Sequence, residues 1–321
     1  MNNTVLQVKG LNVWLGQGPS RKQVVDNMTF SLKAGETIGL VGESGCGKTM
    51  TAMAVLGLLP MPDASVECDC IEINGEDISV LNAEQRRPVL GRDIAMVFQQ
   101  PGTALDPVFT IGQQIAAVYR RHIGGNKEQV RKAMLDALER VGFNRVEDIA
   151  TAYPHQLSGG MRQLSMIAMA MVCKPAVIIA DEPTTALDAS TSALILQQLE
   201  KLQKAHDTAI LLISHDLSVI SQICQKAMVM YCGRVVETAD TQTLFAHPRH
   251  PYSAGLLSCI PHISKGTPAE IHSIPGQVPA VLPPGCHFAP RCEKAEAECR
   301  RSAPALETRG DNSVACFRPL T

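Results

Sequence analysis

Residues Gly42-Glu43-Ser44-Gly45-Cys46-Gly47-Lys48-Thr49 satisfy the spacing G-x-x-x-x-G-K-[ST] at every fixed position. The chemistry implied is phosphate binding. Glycines let successive backbone N–H groups converge on an anion, the lysine reaches the β/γ-phosphates as a point charge, and the threonine hydroxyl faces Mg²⁺. Candidate nucleotide contacts are therefore Gly42, Ser44, Gly45, Cys46, Gly47, Lys48, Thr49 and the next residue, Met50. Further along, Ala176-Val177-Ile178-Ile179-Ala180 runs apolar into Asp181-Glu182. Two acids after an apolar run suit a metal-bearing carboxylate followed by one that polarises an attacking water. A strand-end helix cap would explain one acid but not both. Gln99 and His215 each follow an apolar run and belong to the same layer of candidates. Ser158-Gly159-Gly160 offers a helix-capping hydroxyl and bare backbone N–H groups, again suited to phosphate.

These residues need elements to hold them. Glu36–Val41 reads as a buried strand entering the phosphate loop, and Met50–Leu59 as the helix leaving it, whose N-terminal dipole favours phosphate. A glycine-rich turn alone would not bring both flanks. Strands are also expected over Leu6–Leu15, Val24–Leu32, Cys68–Ile73, Asp93–Gln99, Ala176–Glu182, Ala209–Ile213, Ala227–Tyr231 and Arg234–Glu237. Ile111, Ile115 and Val118 mark one helical face. Val130, Met134, Leu138 and Val141 mark another, closed by Gly142. Pro101–Pro107 reads as an irregular loop. Residues from about 85 to 165 therefore read as a mainly helical insertion. Met161, Met166, Met169 and Met171 read as core packing, and Trp14 either stacks on an adenine or is a half-buried strand residue. From about Thr241 the chain turns rich in Pro and Gly and loses clear helical or strand period.

Bulk properties exclude several classes. With 321 residues and 45% hydrophobic content there is material for a sizeable core. A net charge of −2 provides no general field for nucleic acid. No run approaches the roughly 18 apolar residues of a membrane span. The opening Met1-Asn2-Asn3-Thr4 lacks the charged and apolar regions of a secretory leader, so a cytoplasmic protein is expected. Eleven cysteines in that setting favour buried thiols or a metal site over disulfides.

The phosphate loop, Leu157-Ser158-Gly159-Gly160-Met161, Ile178-Ile179-Ala180-Asp181-Glu182-Pro183 and Ile213-Ser214-His215-Asp216 resemble, in order and approximate spacing, the motifs of ABC transporter ATPase subunits. The resemblance covers essentially the whole chain. It is closest to the dipeptide/oligopeptide/nickel importer branch, through Val97-Phe98-Gln99-Gln100-Pro101, Tyr153-Pro154, Ala186-Leu187-Asp188, His250-Pro251-Tyr252 and the C-terminal cysteine block. It implies an α/β fold: a P-loop NTPase (RecA-like) core with an antiparallel β subdomain, the inserted helical subdomain and a C-terminal Cys-containing extension. Residues 1–240 would form the ATPase domain and 241–321 the extension. The resemblance also implies roles. Lys48 and Thr49 would hold phosphates and Mg²⁺, with Gln99 sensing the metal and the attacking water. Asp181 would orient the metal, Glu182 would be the catalytic carboxylate, and His215 would contact the γ-phosphate. Ser158, Gly159, Gly160 and Asp188 would serve ATP held by a second ATPase subunit, identical or paralogous.

Implied partners are two transmembrane permease subunits and, indirectly, an extracytoplasmic solute-binding protein, with no nucleic acid. The chain would sit peripherally on the cytoplasmic face of the inner membrane. Peptide import, nickel or metal-chelate import and a soluble non-transport ABC ATPase are the alternatives. The last is disfavoured by a single cassette without heptads or a basic patch. Two positions depart from the family pattern: Met161 stands where many relatives have Gln, and the adenine-stacking aromatic falls at Leu15, one residue after Trp14.

Cys286, Cys292, Cys299 and Cys316 have the spacing C-x5-C-x6-C-x16-C, which matches neither the tight C-x2–4-C pairs of most zinc sites nor the ferredoxin run. By spacing they read as a metal site of unspecified type or as unligated thiols. The resemblance implies a [4Fe–4S] cluster there, with Zn²⁺ or no metal as alternatives, and with Arg291, Arg300 and Arg301 offsetting thiolate charge.

Overall fold

A computed structural model describes residues 3–260, 273–279, 281–310 and 312–321. Part of the Pro- and Gly-rich segment after Thr241 lies outside the described residues.

Two long strands open the chain, β1 (Thr4–Leu15) and β2 (Lys22–Lys33), each alternating buried and accessible positions. The short strand β3 (Thr37–Val41) is buried at all its residues, as an apolar run flanked on both faces must be. It leads through the phosphate loop into α1 (Lys48–Val55). Then come β4 (Ala64–Glu67), β5 (Cys70–Ile73), β6 (Glu76–Asp77) and the short α2 (Ala83–Arg86). After β7 (Ile94–Val97), the loop expected over Pro101–Pro107 begins instead as a helical turn, α3 (Pro101–Ala104). Pro101 occupies the first helical position, where its missing N–H costs nothing.

The helical stretch continues with α4 (Ile111–His122) and α5 (Lys127–Arg140), each started by a reciprocal capping box, Thr110 with Gln113 and Asn126 with Gln129. Next are α6 (Val146–Thr151), α7 (Gly159–Met171), β8 (Val177–Asp181), α8 (Ala189–His206), β9 (Ala209–Ser214), α9 (Leu217–Ile223), β10 (Lys226–Tyr231) and β11 (Arg234–Asp240). The segment that lacked clear period is nonetheless structured where described. It forms α10 (Thr241–Ala246), α11 (Pro251–Ser258), α12 (Ala297–Arg301), β12 (Glu307–Arg309) and β13 (Asn312–Val314). Elements of three to eight residues are too short for a hydrophobic period to declare itself.

The chain divides into two units, and the division falls within β1, β2, β3 and β9 and between β4 and β5. The first comprises residues 1–8, 30–37 and 70–212. Here β7 and β8 pair in parallel, Ile94 opposite Val177 and Val97 opposite Ala180, and β5 and β6 form a hairpin. Helices α4 to α7 pack on one another around Ile115, Leu138, Ile149 and Leu164. Of the four methionines expected in the core, Met166 and Met171 are buried and Met161 and Met169 half-buried.

The second unit comprises residues 9–29, 38–69 and 213–321. Its strands follow the order β3-β10-β11-β13-β12. Residues Ile38–Val41 pair in parallel with Lys226–Val229; β10 and β11 pair antiparallel with an irregularity after Val229. The β12–β13 hairpin adds to β11 through Glu237 opposite Val314. The C-terminal segment thus extends the same sheet that carries the phosphate loop. Near the start of the unit, β1 pairs with β4, Asn12 opposite Glu67. Trp14 is half-buried on β1, and the Arg21 guanidinium lies 4.5 Å over its ring, a cation–π contact within the chain.

Candidate nucleotide site

The phosphate loop belongs to the second unit. Its glycines answer distinct demands. A Cβ on Gly42 would run into the Met230 carbonyl, and one on Gly47 into the Val24 carbonyl; Gly47 also has φ 111°, outside what L side chains adopt. The loop is therefore pressed against β10 and β2 with no room for side chains. Lys48, only 5% exposed, donates from Nζ to the carbonyls of Gly42 at 2.8 Å and Glu43 at 3.1 Å, and lies 3.8 Å from Cys46 Sγ. These contacts hold the ammonium over the loop it would share with phosphate. Burial pushes the Cys46 thiol up, while neighbouring Lys48 opposes that shift. Thr49 is exposed in the first turn of α1. His215, also exposed and in this unit, follows β9 directly, and Asp216 caps α9 through Ser218 N–H at 2.8 Å.

The carboxylates belong to the first unit. Asp181 is the buried last residue of β8. Glu182 follows with φ 46°, a left-handed backbone that costs a glutamate of order 1–3 kcal/mol and is typical of functional turns. Gln99 Nε2 donates to Glu182 Oε2 at 2.7 Å, and Thr185 Oγ1 donates to the same oxygen at 2.9 Å. Two candidates more than eighty residues apart are thereby brought together, and Thr185 joins them. No sequence signal singled out Thr185; a hydroxyl three residues after the carboxylate was the available clue.

Ser158 caps α7, accepting from Met161 N–H at 3.3 Å. Gly159 and Gly160 open that helix, and a Cβ on Gly160 would run into the Thr191 side chain. Asp188 caps α8, accepting from Thr191 N–H at 3.0 Å, from Thr191 Oγ1 at 2.7 Å and from Ser190 Oγ. Hydrogen bonds from these hydroxyls hold its carboxyl well below the usual range, so it is ionised. Thr191 therefore ties Gly160 and Asp188 into one local arrangement.

The four C-terminal cysteines, in the second unit, line one cavity together with Phe288 and Phe317. Burial pushes the Cys286, Cys292 and Cys316 thiols up. Among the described residues no three His, Cys, Asp or Glu side chains are grouped so as to hold a metal ion. Four thiols thus line one cavity without forming an assembled ligand set among the described residues. Arg291, expected beside the thiolates, instead grips the phosphate loop. Its Nη1 and Nη2 donate to Glu43 Oε2 at 2.7 Å and Oε1 at 3.0 Å. Arg300 and Arg301 are exposed on α12.

His250, part of the His250-Pro251-Tyr252 motif, is the buried N-cap of α11. Its Nδ1 accepts the Tyr252 N–H at 3.0 Å, and its own N–H donates to the buried Glu237 carboxylate at 2.8 Å. Burial pulls its pKa from 6.5 down to about 4. The ring is therefore neutral in the fold, and protons favour the unfolded chain. Stability is full above about pH 6.5 and falls as the pH drops toward 4, by up to about 3 kcal/mol. Urea unfolding at pH 7.5 and pH 5.0 checks this. The wild type should lose about 2 kcal/mol more between the two than His250→Asn, which keeps a capping acceptor but does not titrate. Equal losses would remove His250 as the cause.

Comparison with known proteins bears on these observations. Residues 25–185 match the ABC transporter family model, and residues 236–299 match the oligopeptide/dipeptide transporter C-terminal region. A solved dimeric ATP-binding cassette in a post-hydrolysis state, bound to ADP and Pi, superposes with a TM-score of 0.64 at 26% identity, covering 74% of this chain and 98% of that one. Phosphate loop, β-core and inserted helices together define an ABC-type ATP-binding cassette with the P-loop NTPase fold. Two relatives narrow this further. The oligopeptide transport ATP-binding protein AppD of Bacillus subtilis (strain 168) is 42% identical over 318 residues, 98% of this chain and 97% of the relative. The dipeptide transport ATP-binding protein DppD of Escherichia coli (strain K12) is 41% identical over 319 residues, again 98% and 97%. The chain belongs to this family of oligopeptide/dipeptide ABC transporter ATP-binding proteins.

Proposed function

We propose that this chain hydrolyses ATP to energise import of di- or oligopeptides through separate transmembrane subunits, working on the cytoplasmic face of the membrane. No helix among the described residues is long and apolar enough to span a bilayer, which is why the pathway is assigned to partners. Residues 1–240 act as the ATPase domain, with 85–165 as its helical subdomain, and 241–321 as the extension. Full-length similarity to AppD and DppD supports the peptide over the nickel reading.

Within the chain, the backbone of Gly42 and of residues 44–50, together with the Lys48 ammonium, binds the phosphates. Thr49 and Asp181 present hard oxygen donors of the kind Mg²⁺ takes, and the ion would neutralise charge on the phosphates. Glu182 accepts the proton of the attacking water, positioned by Gln99 and Thr185, and His215 contacts the γ-phosphate. Ser158, Gly159, Gly160 and Asp188 close over nucleotide bound by a second cassette. The observation that carries this reading is the Gln99–Glu182–Thr185 cluster at the end of β8, which holds one carboxylate by two donors in a left-handed backbone.

The C-terminal cysteines as a [4Fe–4S] site form the finer part of the proposal. It is supported by four thiols lining one cavity and opposed by the lack of an assembled ligand group among the described residues. One experiment addresses both parts: anaerobic purification of the tagged chain from its native membrane. Co-purifying permease subunits are expected, and a preparation with none overturns the transport reading. Iron with acid-labile sulfide supports the cluster, and a colourless, iron-free protein ends it.

A further inference from the structure

A phosphate loop that carries a carboxylate has an electrostatic problem. Glu43 is the second residue of the loop, and its charge works against an anionic ligand bound a few residues away. The structure answers from 248 residues further along the chain. Arg291, whose side chain is 4% exposed, meets both Glu43 oxygens in a two-pronged ion pair. The guanidinium is itself anchored: Nε donates to the Pro275 carbonyl at 2.9 Å, and its carbon lies 5.8 Å from the Tyr231 ring centroid and 6.0 Å from that of Phe288. A second hold acts on the backbone, where Glu43 N–H donates to Tyr252 Oη at 2.9 Å. Tyr252 is buried against Tyr231 and Phe288, with ring centroids 4.6 Å and 5.3 Å away. The Glu43 carbonyl in turn accepts from Lys48 Nζ. Side chain, N–H and C=O of one loop residue are thus all engaged, the first two by the C-terminal region.

We infer that Arg291 is a positioning residue for nucleotide binding: it neutralises Glu43 and holds the phosphate loop in its binding shape, making ATP affinity dependent on the C-terminal region. Fork-to-carboxylate geometry gives the contact direction as well as charge, which a lysine would not reproduce. Without the guanidinium, the loop would keep a negative charge beside the phosphates and lose the strut that aims it away.

This inference rests on Gly42–Thr49 being the phosphate loop, and the test separates the two claims. Mg-ATP affinity is measured by calorimetry on the full chain for Arg291→Ala, Glu43→Gln, the double variant and Lys48→Ala, with steady-state kcat and KM alongside. Arg291→Ala should weaken ATP binding about tenfold, as an uncompensated charge at short range in a partly screened site would. Its kcat at saturating ATP should change less than twofold. Glu43→Gln should bind within threefold of wild type, and adding it to Arg291→Ala should restore affinity to within threefold. A merely structural role predicts instead that the double variant is at least as impaired as Arg291→Ala. That result, or a folded Arg291→Ala with unchanged affinity, overturns the inference. If Arg291→Ala does not fold, Arg291→Lys replaces it, with about threefold weaker binding expected and unchanged binding counting against. Unchanged affinity in Lys48→Ala would instead sink the phosphate-loop reading itself.

Discussion

Glu182→Gln should bind Mg-ATP within about threefold of wild type and hydrolyse it 10²- to 10⁴-fold more slowly, the range a positioned general base contributes. The substitution is nearly silent structurally. Gln99 Nε2 and Thr185 Oγ1 both donate to Oε2 of Glu182. A glutamine can present its single carbonyl oxygen at that position and keep both bonds, so the left-handed turn at residue 182 need not move. What it loses is the capacity to take a proton. Phosphoryl transfer to water depends on orientation and on charge stabilisation in the transition state, and the proposed function assigns the orienting and deprotonating of the nucleophile to the Glu182 carboxylate. Because binding survives and release by hydrolysis does not, the variant should also accumulate an ATP-dependent dimer, visible by light scattering. Turnover within threefold of wild type would remove Glu182 from its role, whatever the dimer does.

The same layout explains why hydrolysis belongs to a pair. Asp188 and Ser158 spend their oxygens on the N-termini of α8 and α7, and Thr191, bonded to Asp188, lies against Gly160. Within the chain, the Ser158 cap fixes the first turn of α7, which begins at Gly159 and Gly160. In the proposed function a second cassette brings its phosphate to these glycines. On that proposal ATP bridges two cassettes, identical or paralogous, through interactions that neither makes alone, and cleavage removes the bridge.

How much of this was legible beforehand follows from the range of each interaction. The phosphate loop, the carboxylates after β8 and the Ser158 cap are set by residues within a few positions of one another, so spacing alone located them. The longer strands and helices through residue 240 followed from hydrophobic period, with ends shifting by a few residues, whereas short elements such as β4, α3, α6 and α9 did not. The Arg291–Glu43 pair could not be read: nothing local to either residue marks the other, and Arg291 invited assignment to the cysteines one residue away. Nor could the β12–β13 hairpin, whose three-residue strands carry no pattern and are fixed by pairing with β11. Trp14 illustrates a third case. The side chain was noticed, but its Arg21 partner lies across a turn whose geometry the sequence does not specify.

The second large effect is expected at Lys48. Replacing it with alanine should weaken Mg-ATP binding by about 10- to 150-fold, the equivalent of losing one hydrogen bond to a charged group. Its ammonium already lies over the loop, tethered to the Gly42 and Glu43 carbonyls, so little ordering remains to be done when phosphate arrives. The loss should grade with phosphate number: large for ATP, smaller for ADP and slight for AMP, since only the outer phosphates lie within reach of a lysine at this position. Lys48→Arg should fail as well. The side chain is buried in a loop pressed against β10 and β2, and a planar fork cannot replace a compact ammonium there. Calorimetric titration of the three nucleotides distinguishes this from general loss of fold, which would weaken all of them alike. Equal weakening across the series, or undiminished ATP affinity, would show that Lys48 does not meet the outer phosphates.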